Sequence, residues 1–175
     1  MSSCCSSDDT FAAVAVPGGA MKIAIGSDHA GKELKGPIVD YLSLTSHSVL
    51  DYGVSMDTEG SVDYPDFADV VASEVSNGRA DRGILICGTG TGMCIAANKF
   101  PGIRAAVVYD EFTARMSRAH NDANILCLGS RTVNHRRAID FLKIWLATEF
   151  EDGRHRSRVT KITEIEQRVI RLEQA

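Results

Sequence analysis

Three features that mark common protein classes are missing from this 175-residue sequence: a membrane span, a strongly basic charge balance and a paired cysteine motif. The apolar stretch near the N-terminus, Phe11 to Val16, is too short to cross a bilayer and lacks the basic segment of a secretory signal. The formal net charge of −4 gives no global positive field for nucleic acid. We therefore expect neither a membrane partner nor a nucleic-acid partner.

The five cysteines form no recognisable framework. Their number is odd and two of them, Cys4 and Cys5, are adjacent, so the sequence provides neither a set of disulfides nor the paired CxxC spacing of a zinc site. Cysteines of this kind are typical of reduced intracellular proteins, and we predict a cytoplasmic location and no bound metal. Cys127 lies inside the apolar run 125–128 and is predicted to be a small core residue.

Length and composition favour one domain after a short extension. Residues 1–20 are rich in Ser, Gly and Ala and are predicted to form a poorly ordered N-terminal extension. The segment 21–175 is long enough to bury a substantial core, and 44% of the whole chain is hydrophobic. We interpret 21–175 as a single domain.

From residue 21 onward, short apolar runs alternate with segments of helical periodicity. The runs begin near residues 21, 48, 84, 103 and 125. This alternation predicts an α/β fold, a Rossmann-like three-layer α/β/α sandwich with a five-stranded parallel sheet and an extra C-terminal helix. Gly36-Pro37 is expected to kink the first helix or delay its start. The last helix, 154–173, has a narrow apolar stripe at nearly coiled-coil spacing, which fits packing on its own domain or on another subunit.

The most informative stretch runs from Arg82 to Phe100, RGILICGTGTGMCIAANKF. A short apolar strand ends in Cys87, glycines alternate with threonines, and the pattern then becomes helical. This layout points backbone N–H groups at an anion and places a thiol at the carboxyl end of a strand, where open α/β sheets bind ligands. Such a thiol can act as a base or a nucleophile, and a tight turn beside an inert thiol is the alternative interpretation.

This glycine loop matches neither of the common nucleotide-binding motifs. The G-x-G-x-x-G fingerprint follows the first strand of its fold, whereas here the first strand runs into Ser27-Asp28-His29. No GK[ST] of a Walker loop follows Gly92. The loop is therefore interpreted on its own chemistry and not as a nucleotide site.

Three further segments carry residues that can contribute to a site. Asp28 and His29 follow the first strand and can orient a hydroxyl or contact a phosphate, although an N-cap aspartate beside a surface histidine is the simpler interpretation. His120 lies before the fifth strand and can equally be a helix C-cap. Arg154 and Arg158 are four residues apart, so both can grip a phosphate from one helix face or belong to a solvated helix start.

Several spaced motifs in the same order resemble the family of ribose-5-phosphate isomerase type B, which also contains the paired-subunit galactose-6-phosphate isomerases. The resemblance covers about Met21 to Gln167. Its carriers are GSDHAG at 26–31, VDYPDFA at 62–68, ILICGTGTGMCIAANKFPGIRAA at 84–106, SRAHNDANIL at 117–126, GSR at 129–131 and GRHRSRV at 153–159.

The resemblance implies an aldose–ketose isomerase that interconverts ribose 5-phosphate and ribulose 5-phosphate in the non-oxidative pentose phosphate pathway. It implies a Rossmann-type fold and no metal or organic cofactor. It also implies a homodimer or homotetramer whose active sites are built from two subunits, with the helix 154–173 at a subunit interface.

The resemblance also assigns roles at the reacting end of the sugar. Cys87 would be the general base that moves a proton between C2 and C1 through an enediolate. Thr89 and the loop amides would stabilise the developing oxyanion, the loop glycines being Gly88, Gly90 and Gly92. Asp28 and His120 would open the furanose ring, with His120 as the acid–base group.

Other positions match substrate contacts of the family. His29, Arg154 and Arg158 match phosphate ligands. Further substrate-pocket positions are matched by Tyr64, Asn121 and Arg131. Of all these residues, the ones expected to serve a neighbouring protomer's pocket are His120, Asn121 and Arg131.

Two alternatives remain open beside this interpretation. The same apparatus could isomerise a six-carbon sugar phosphate, such as allose 6-phosphate or galactose 6-phosphate. A chain that carries the cysteine, the histidine and the arginines together argues against the divided duties of a paired-subunit enzyme. The other alternative is a non-catalytic phosphosugar-binding module, which would bind without turnover.

Overall fold

The computed structural model describes residues 19–173, which fold around a five-stranded parallel sheet. The strands are β1 (Lys22–Ser27), β2 (Ser48–Asp51), β3 (Arg82–Cys87), β4 (Ala105–Val107) and β5 (Ile125–Gly129). Their order across the sheet is β2-β1-β3-β5-β4, and every neighbouring pair is parallel. β1, β3 and β5 are almost wholly buried, because a parallel sheet in such a fold is covered on both faces.

Helices cover the two faces of this sheet and complete the three layers. They are α1 (Lys32–Ser43), α2 (Tyr64–Ser76), α3 (Thr91–Ala97), α4 (Glu111–Ala119) and α5 (His135–Ala147). A sixth helix, α6 (Arg154–Glu173), follows at the C-terminal end and lies outside the two cores. One core joins Ile23 and Ile84 of the sheet to Trp145 of α5. The other core joins Leu85 of β3 to Val71 of α2. The predicted α/β/α sandwich is confirmed.

Gly36-Pro37 does not delay the start of the first helix, since α1 runs from Lys32 through Pro37 to Ser43, and the expected kink stays a prediction. Proline lacks the N–H that would bond to the carbonyl of Glu33, so the helix loses one backbone hydrogen bond there. The buried face of α1 packs into the core beneath it and offsets that loss. Its buried apolar residues are Leu34, Ile38, Tyr41 and Leu42.

The strand order creates a crevice between β1 and β3. The chain leaves β1 towards β2 on one side and returns to β3 on the other, so the loops that follow β1 and β3 diverge. Open α/β sheets bind their ligands at the carboxyl edge of such a switch point. Asp28 follows β1 there and Cys87 ends β3.

The C-terminal helix α6 contacts the domain through its polar residues. Glu166 accepts a hydrogen bond from the Gly102 N–H at 2.9 Å. The apolar stripe of α6 stays exposed in the single chain; it consists of Ile162, Ile165, Val169 and Leu172. No helix within residues 19–173 is long and apolar enough to cross a membrane. The predicted extension, 1–20, lies outside the described residues apart from its last two.

Candidate active site

Cys87 lies at the end of β3 with its sulfur turned towards the glycine loop. The thiol is 5% exposed, and its Sγ accepts a hydrogen bond from the Gly90 N–H at 3.2 Å. Gly90 has a φ of 77°, and a Cβ at this position would lie 3.0 Å from the backbone of Leu128. Glycine is therefore required for the backbone to turn close to β5 and aim its N–H at the sulfur. A backbone donor at this distance stabilises negative charge on sulfur.

The loop that follows β5 is hydrogen-bonded to the Cys87 loop. The Ser130 N–H donates to the Cys87 carbonyl at 2.9 Å, and the Arg131 N–H donates to the Gly88 carbonyl at 3.0 Å. A Cβ on Gly88 would lie 3.3 Å from the Arg131 guanidinium carbon. Arg131 therefore lies beside the Cys87 loop of its own chain, although we expected it to serve a neighbouring protomer.

Asp28 and His29 lie on the adjacent loop after β1. Asp28 is 5% exposed, and its Oδ1 accepts hydrogen bonds from the N–H groups of Ala30 and Gly31 at 3.0 and 2.9 Å. These two donors orient the carboxylate at the edge of the crevice. The His29 Nδ1 accepts a hydrogen bond from the Val62 N–H at 3.2 Å, so the neutral ring carries its proton on Nε2 and can donate it to a phosphate oxygen.

Tyr64 and Thr89 complete the residues around this loop. The Tyr64 ring covers Gly92 so closely that a Cβ there would lie 2.7 Å from ring carbons. Thr89 is exposed, so its hydroxyl is open to solvent at the loop. We call this set of side chains the Cys87 group; it consists of Asp28, His29, Tyr64, Cys87, Thr89 and Arg131, together with the glycines Gly88, Gly90 and Gly92.

A second set of side chains surrounds the end of α4. The His120 ring stacks on the His155 ring with centroids 4.0 Å apart and planes 7° from parallel. The His120 Nε2 lies 3.7 Å from the Glu151 Oε2. The Glu151 N–H donates to the Ala119 carbonyl at 2.8 Å, which ties the start of α6 to the end of α4. We call this the His120 group; it consists of His120, Asn121, Glu151, Arg154, His155 and Arg158.

His155 is the buried member of the His120 group, with 5% exposure. Burial lowers its pKa, and the charges of His120, Arg154 and Arg158 lower it further. The Arg154 Nε donates to the His155 Nε2 at 3.3 Å, which requires a lone pair on that nitrogen. His155 is therefore neutral at physiological pH and links an arginine to His120.

Sequence reasoning did not identify His155 or Glu151 as site residues. His155 lies between two arginines in GRHRSRV, and that context is typical of an exposed helix start. Only the contact between the first turn of α6 and the end of α4 turns this one ring inward. Glu151 lies in the connection before α6, where no sequence pattern marks it.

The His120 group contains ligand types that metals bind, but its geometry is not prepared for one. Ligand atoms of His120, Glu151 and His155 lie within 4.8 Å of one another. The two rings are nearly parallel, so their in-plane lone pairs do not converge on one point, and Arg154 already occupies the His155 Nε2. The arrangement suits proton transfer better than metal binding.

The two groups lie at opposite ends of the parallel strands, the Cys87 group at the carboxyl ends and the His120 group at the amino ends. Cys87 pairs with Gly129 at the carboxyl end of β5, whereas His120 precedes Ile125 at the other end of that strand. Four residues of strand separate these ends by roughly 13 Å. No hydrogen bond or ion pair of residues 19–173 joins the two groups. A single chain therefore does not bring His120 to Cys87.

Two other thiols lie close to the Cys87 loop. Cys127 is wholly buried, as predicted, and burial raises its pKa. Cys94 in α3 is half-buried, and hydrogen bonds, first from Cys127 and also from Asn98, lower its pKa to about 7. Cys94 is thus a second candidate, beside Cys87, for a thiolate base.

Comparisons with known proteins find similar sequences and structures over most of the described chain. The model of the family described as ribose/galactose isomerase matches residues 23–162. Ribose-5-phosphate isomerase B of Escherichia coli is 48% identical over 147 residues, which cover 84% of this chain and 97% of the relative.

Two solved structures share the fold over nearly their whole length. Ribose-5-phosphate isomerase B of Clostridium thermocellum is 55% identical, with a TM-score of 0.82 over 85% of this chain and 99% of the other. The enzyme of Mycoplasma genitalium, solved with bound ribulose 5-phosphate, is 44% identical, with a TM-score of 0.79 over 83% of this chain and 96% of the other.

Proposed function

This chain belongs to the ribose/galactose isomerase family, and we propose that it interconverts ribose 5-phosphate and ribulose 5-phosphate through an enediolate. The observation that carries the proposal is the contact between the Cys87 sulfur and the Gly90 N–H at the switch point of the sheet. It pairs a base with amide donors at the place where a reacting sugar would bind. The relative solved with ribulose 5-phosphate supports the choice of substrate.

In the proposed reaction, Cys87 acts as a thiolate on the open-chain aldose. It removes the proton from C2, and the electron pair forms the C1–C2 double bond while negative charge develops on O1. The Thr89 hydroxyl and amides of the 88–92 loop donate hydrogen bonds to that oxygen, while the Gly90 N–H stays on the Cys87 sulfur. Return of the proton to C1 and transfer of the O2 hydroxyl proton to O1 give the ketose.

Ring opening precedes this step, because free ribose 5-phosphate is mostly a furanose. We assign the proton donated to the ring oxygen to His120, and we assign orientation of the O1 hydroxyl to Asp28. The Asp28 carboxylate is held for that contact by two backbone amides. General acid–base assistance of this kind contributes about 10²- to 10⁴-fold to a rate.

The phosphate would be bound by His29, Arg154 and Arg158. His29 presents an Nε2 proton, and the two arginines are one turn apart in the first turns of α6. Tyr64 and Asn121 would contact the sugar. Binding energy gained at the phosphate holds the reacting carbons against the base.

The separation of the two groups supports a site shared between subunits. In a homodimer or homotetramer, the His120 group of one copy would face the Cys87 group of another, with Arg131 on the Cys87 side. The exposed stripe of α6 provides an apolar surface for such an assembly. The three described cysteines, 87, 94 and 127, are free thiols, which supports the cytoplasmic setting that we infer.

The test is an isomerase assay of the wild type, Cys87→Ala and the matched control Cys94→Ala on ribose 5-phosphate and allose 6-phosphate. We expect turnover of ribose 5-phosphate, a loss of about 10²- to 10⁴-fold in Cys87→Ala and near-normal activity in Cys94→Ala. Substrate binding should persist in Cys87→Ala.

Each contrary outcome has a distinct meaning. Full activity in Cys87→Ala would reject the assigned base, and loss of activity in Cys94→Ala alone would move that role to the second thiol. Faster turnover of allose 6-phosphate would identify a six-carbon isomerase. Binding without turnover of either sugar would identify a phosphosugar-binding module.

A further inference from the structure

The turn that follows α4 contains an unusual backbone conformation. Asp122 has a φ of 47° and is the sole residue other than glycine with a positive φ within residues 19–173. Its N–H donates to the Arg118 carbonyl at 3.0 Å, and the Ala123 N–H donates to the Ser117 carbonyl at 2.9 Å. A helix end with a left-handed residue usually places glycine at that position, because a Cβ is disfavoured there.

The Asp122 side chain is held by two arginines from different parts of the chain. Its Oδ1 lies 2.6 Å from the Arg118 Nη1, and its Oδ2 lies 2.8 Å from the Arg104 Nη2. The Arg118 residue is 5% exposed, and its Nη1 also donates to the Ala123 carbonyl at 2.8 Å. Each carboxylate oxygen therefore has its own guanidinium partner.

Arg104 also binds the backbone of the turn directly. Its Nε donates to the carbonyl oxygens of Asn121 and Asp122, both at 3.0 Å. The Arg104 guanidinium thus binds the carbonyls of Asn121 and Asp122 and the carboxylate of Asp122 at the same time. A glycine at position 122 would relieve the backbone but would leave Arg104 and the buried Arg118 without their shared carboxylate.

We propose that Asp122, clamped by Arg104 and Arg118, is a positioning residue that fixes the turn carrying His120 and Asn121 for ring opening. This inference rests on the proposed isomerase function, and it goes beyond that function by assigning a role to three residues that the proposed reaction does not use. Displacement of a catalytic group by about 1 Å can lower a rate by about 100-fold, so a clamp on this turn acts on the rate of ring opening.

Comparing the rates of the forward and reverse reactions distinguishes a role of Asp122 in ring opening from a role in protein stability. Ribose 5-phosphate must open its ring before C2 can be deprotonated. Ribulose 5-phosphate needs no ring opening, because the hydroxyl that would close its five-membered ring carries the phosphate. When enzymatic ring opening fails, spontaneous opening limits the forward rate, which then stops rising in proportion to enzyme concentration.

The experiment measures initial rates in both directions over a range of enzyme concentrations for the wild type, Asp122→Asn, Arg104→Lys and the control Arg79→Gln. Arg79 forms an ion pair with Glu74 at 2.8 Å, and neither residue belongs to the Cys87 group or the His120 group. For Asp122→Asn we expect a forward loss of about 10- to 100-fold with a plateau at high enzyme, and a reverse rate within about threefold of the wild type. Arg104→Lys should show the same pattern more weakly, and Arg79→Gln should match the wild type.

Equal losses in both directions with rates still proportional to enzyme would overturn the positioning role and leave Asp122 as a structural residue. Unchanged rates in both directions would overturn it as well. If Asp122→Asn does not fold, Arg104→Lys decides by the same criteria, because it keeps a positive charge beside Asp122 and loses the bonds to the two carbonyls. A wild type inactive on both sugars would refute the proposed function and this role together, whereas an active wild type confines any failure to the clamp.

Discussion

At the scale of single residues, His155 shows how packing changes the chemistry of a side chain. The ring is buried against His120, and its pKa lies below the ordinary value because of burial and the nearby charges of His120, Arg154 and Arg158. Glu151 is the opposing influence, since its carboxylate raises the pKa. The net effect keeps the ring neutral, so it can accept the Arg154 hydrogen bond and stack on His120 without adding charge.

A pH-dependent stability follows from His155. Because its folded-state pKa is below the unfolded value of about 6.5, the unfolded chain binds more protons in that range, and the free energy of unfolding falls as pH drops below about 6.5. We expect His155→Phe, which keeps an aromatic ring on His120, to weaken this pH dependence. Urea unfolding of both proteins between pH 5 and 8 measures it, and identical pH profiles would contradict the assignment. The pKa of His47 is also lowered by burial, but that effect is common to both proteins and cancels in the comparison.

At the scale of secondary-structure elements, the end of α4 and the first turn of α6 form the part of the candidate site that carries His120. α4 begins at a capping box in which the Asp110 carboxylate accepts the Thr113 N–H at 2.7 Å, and it ends at His120. α6 begins at Arg154 and places His155 against that end. The cap at one end and the docked helix at the other define where the His120 ring lies.

The exposed apolar stripe of α6 predicts an interface between subunits. Ile162, Ile165, Val169 and Leu172 follow one another at spacings of three and four residues, which is the pattern of a helix that packs on another helix. We expect Ile165→Asp to shift the protein towards smaller species in light scattering coupled to gel filtration, whereas Gln167→Asp, on the same helix, should leave the mass unchanged. An unchanged mass in Ile165→Asp would show that the stripe is not an interface.

At the scale of the whole molecule, the sheet separates two sets of groups that the proposed reaction needs together. β5 runs between them, with Gly129 beside Cys87 at one end and Ile125 after His120 at the other. In a two-fold symmetric dimer, the Cys87 group of each chain can face the His120 group of the other chain. This arrangement would generate two equivalent sites.

Mixing two variants that each lack one of the proposed catalytic residues tests this shared site. Cys87→Ala and His120→Ala chains, unfolded together and refolded at equal amounts, would form about half of their dimers as mixed pairs, each with one site that lacks both residues and one that is intact. We expect ribose 5-phosphate turnover to recover to about a quarter of the wild-type value. Variants refolded separately and then assayed together without subunit exchange are the control, and no recovery in the refolded mixture would place each site within one chain.

Much of the fold was predictable because it depends on local patterns. Short apolar runs and 3.6-residue periodicity indicated all five strands and the helices around them. The proline in α1 does not delay the start of that helix, because the buried face of the helix outweighs one missing hydrogen bond. The motif around Cys87 could also be recognised in the sequence, since its strand, glycine loop and helix are contiguous in the chain.

The strands, the Cys87 loop and the motifs that indicate the family could be recognised in the sequence, because each of them is a contiguous segment of the chain. The three-dimensional contacts were needed to show that Arg131 lies with Cys87, that His155 faces His120 and that Asp122 joins Arg104 to Arg118. The structure also shows that the two halves of the candidate site lie at opposite ends of the parallel strands. These relations depend on strand register and on contacts between distant segments, and no local pattern encodes the direction in which such side chains point.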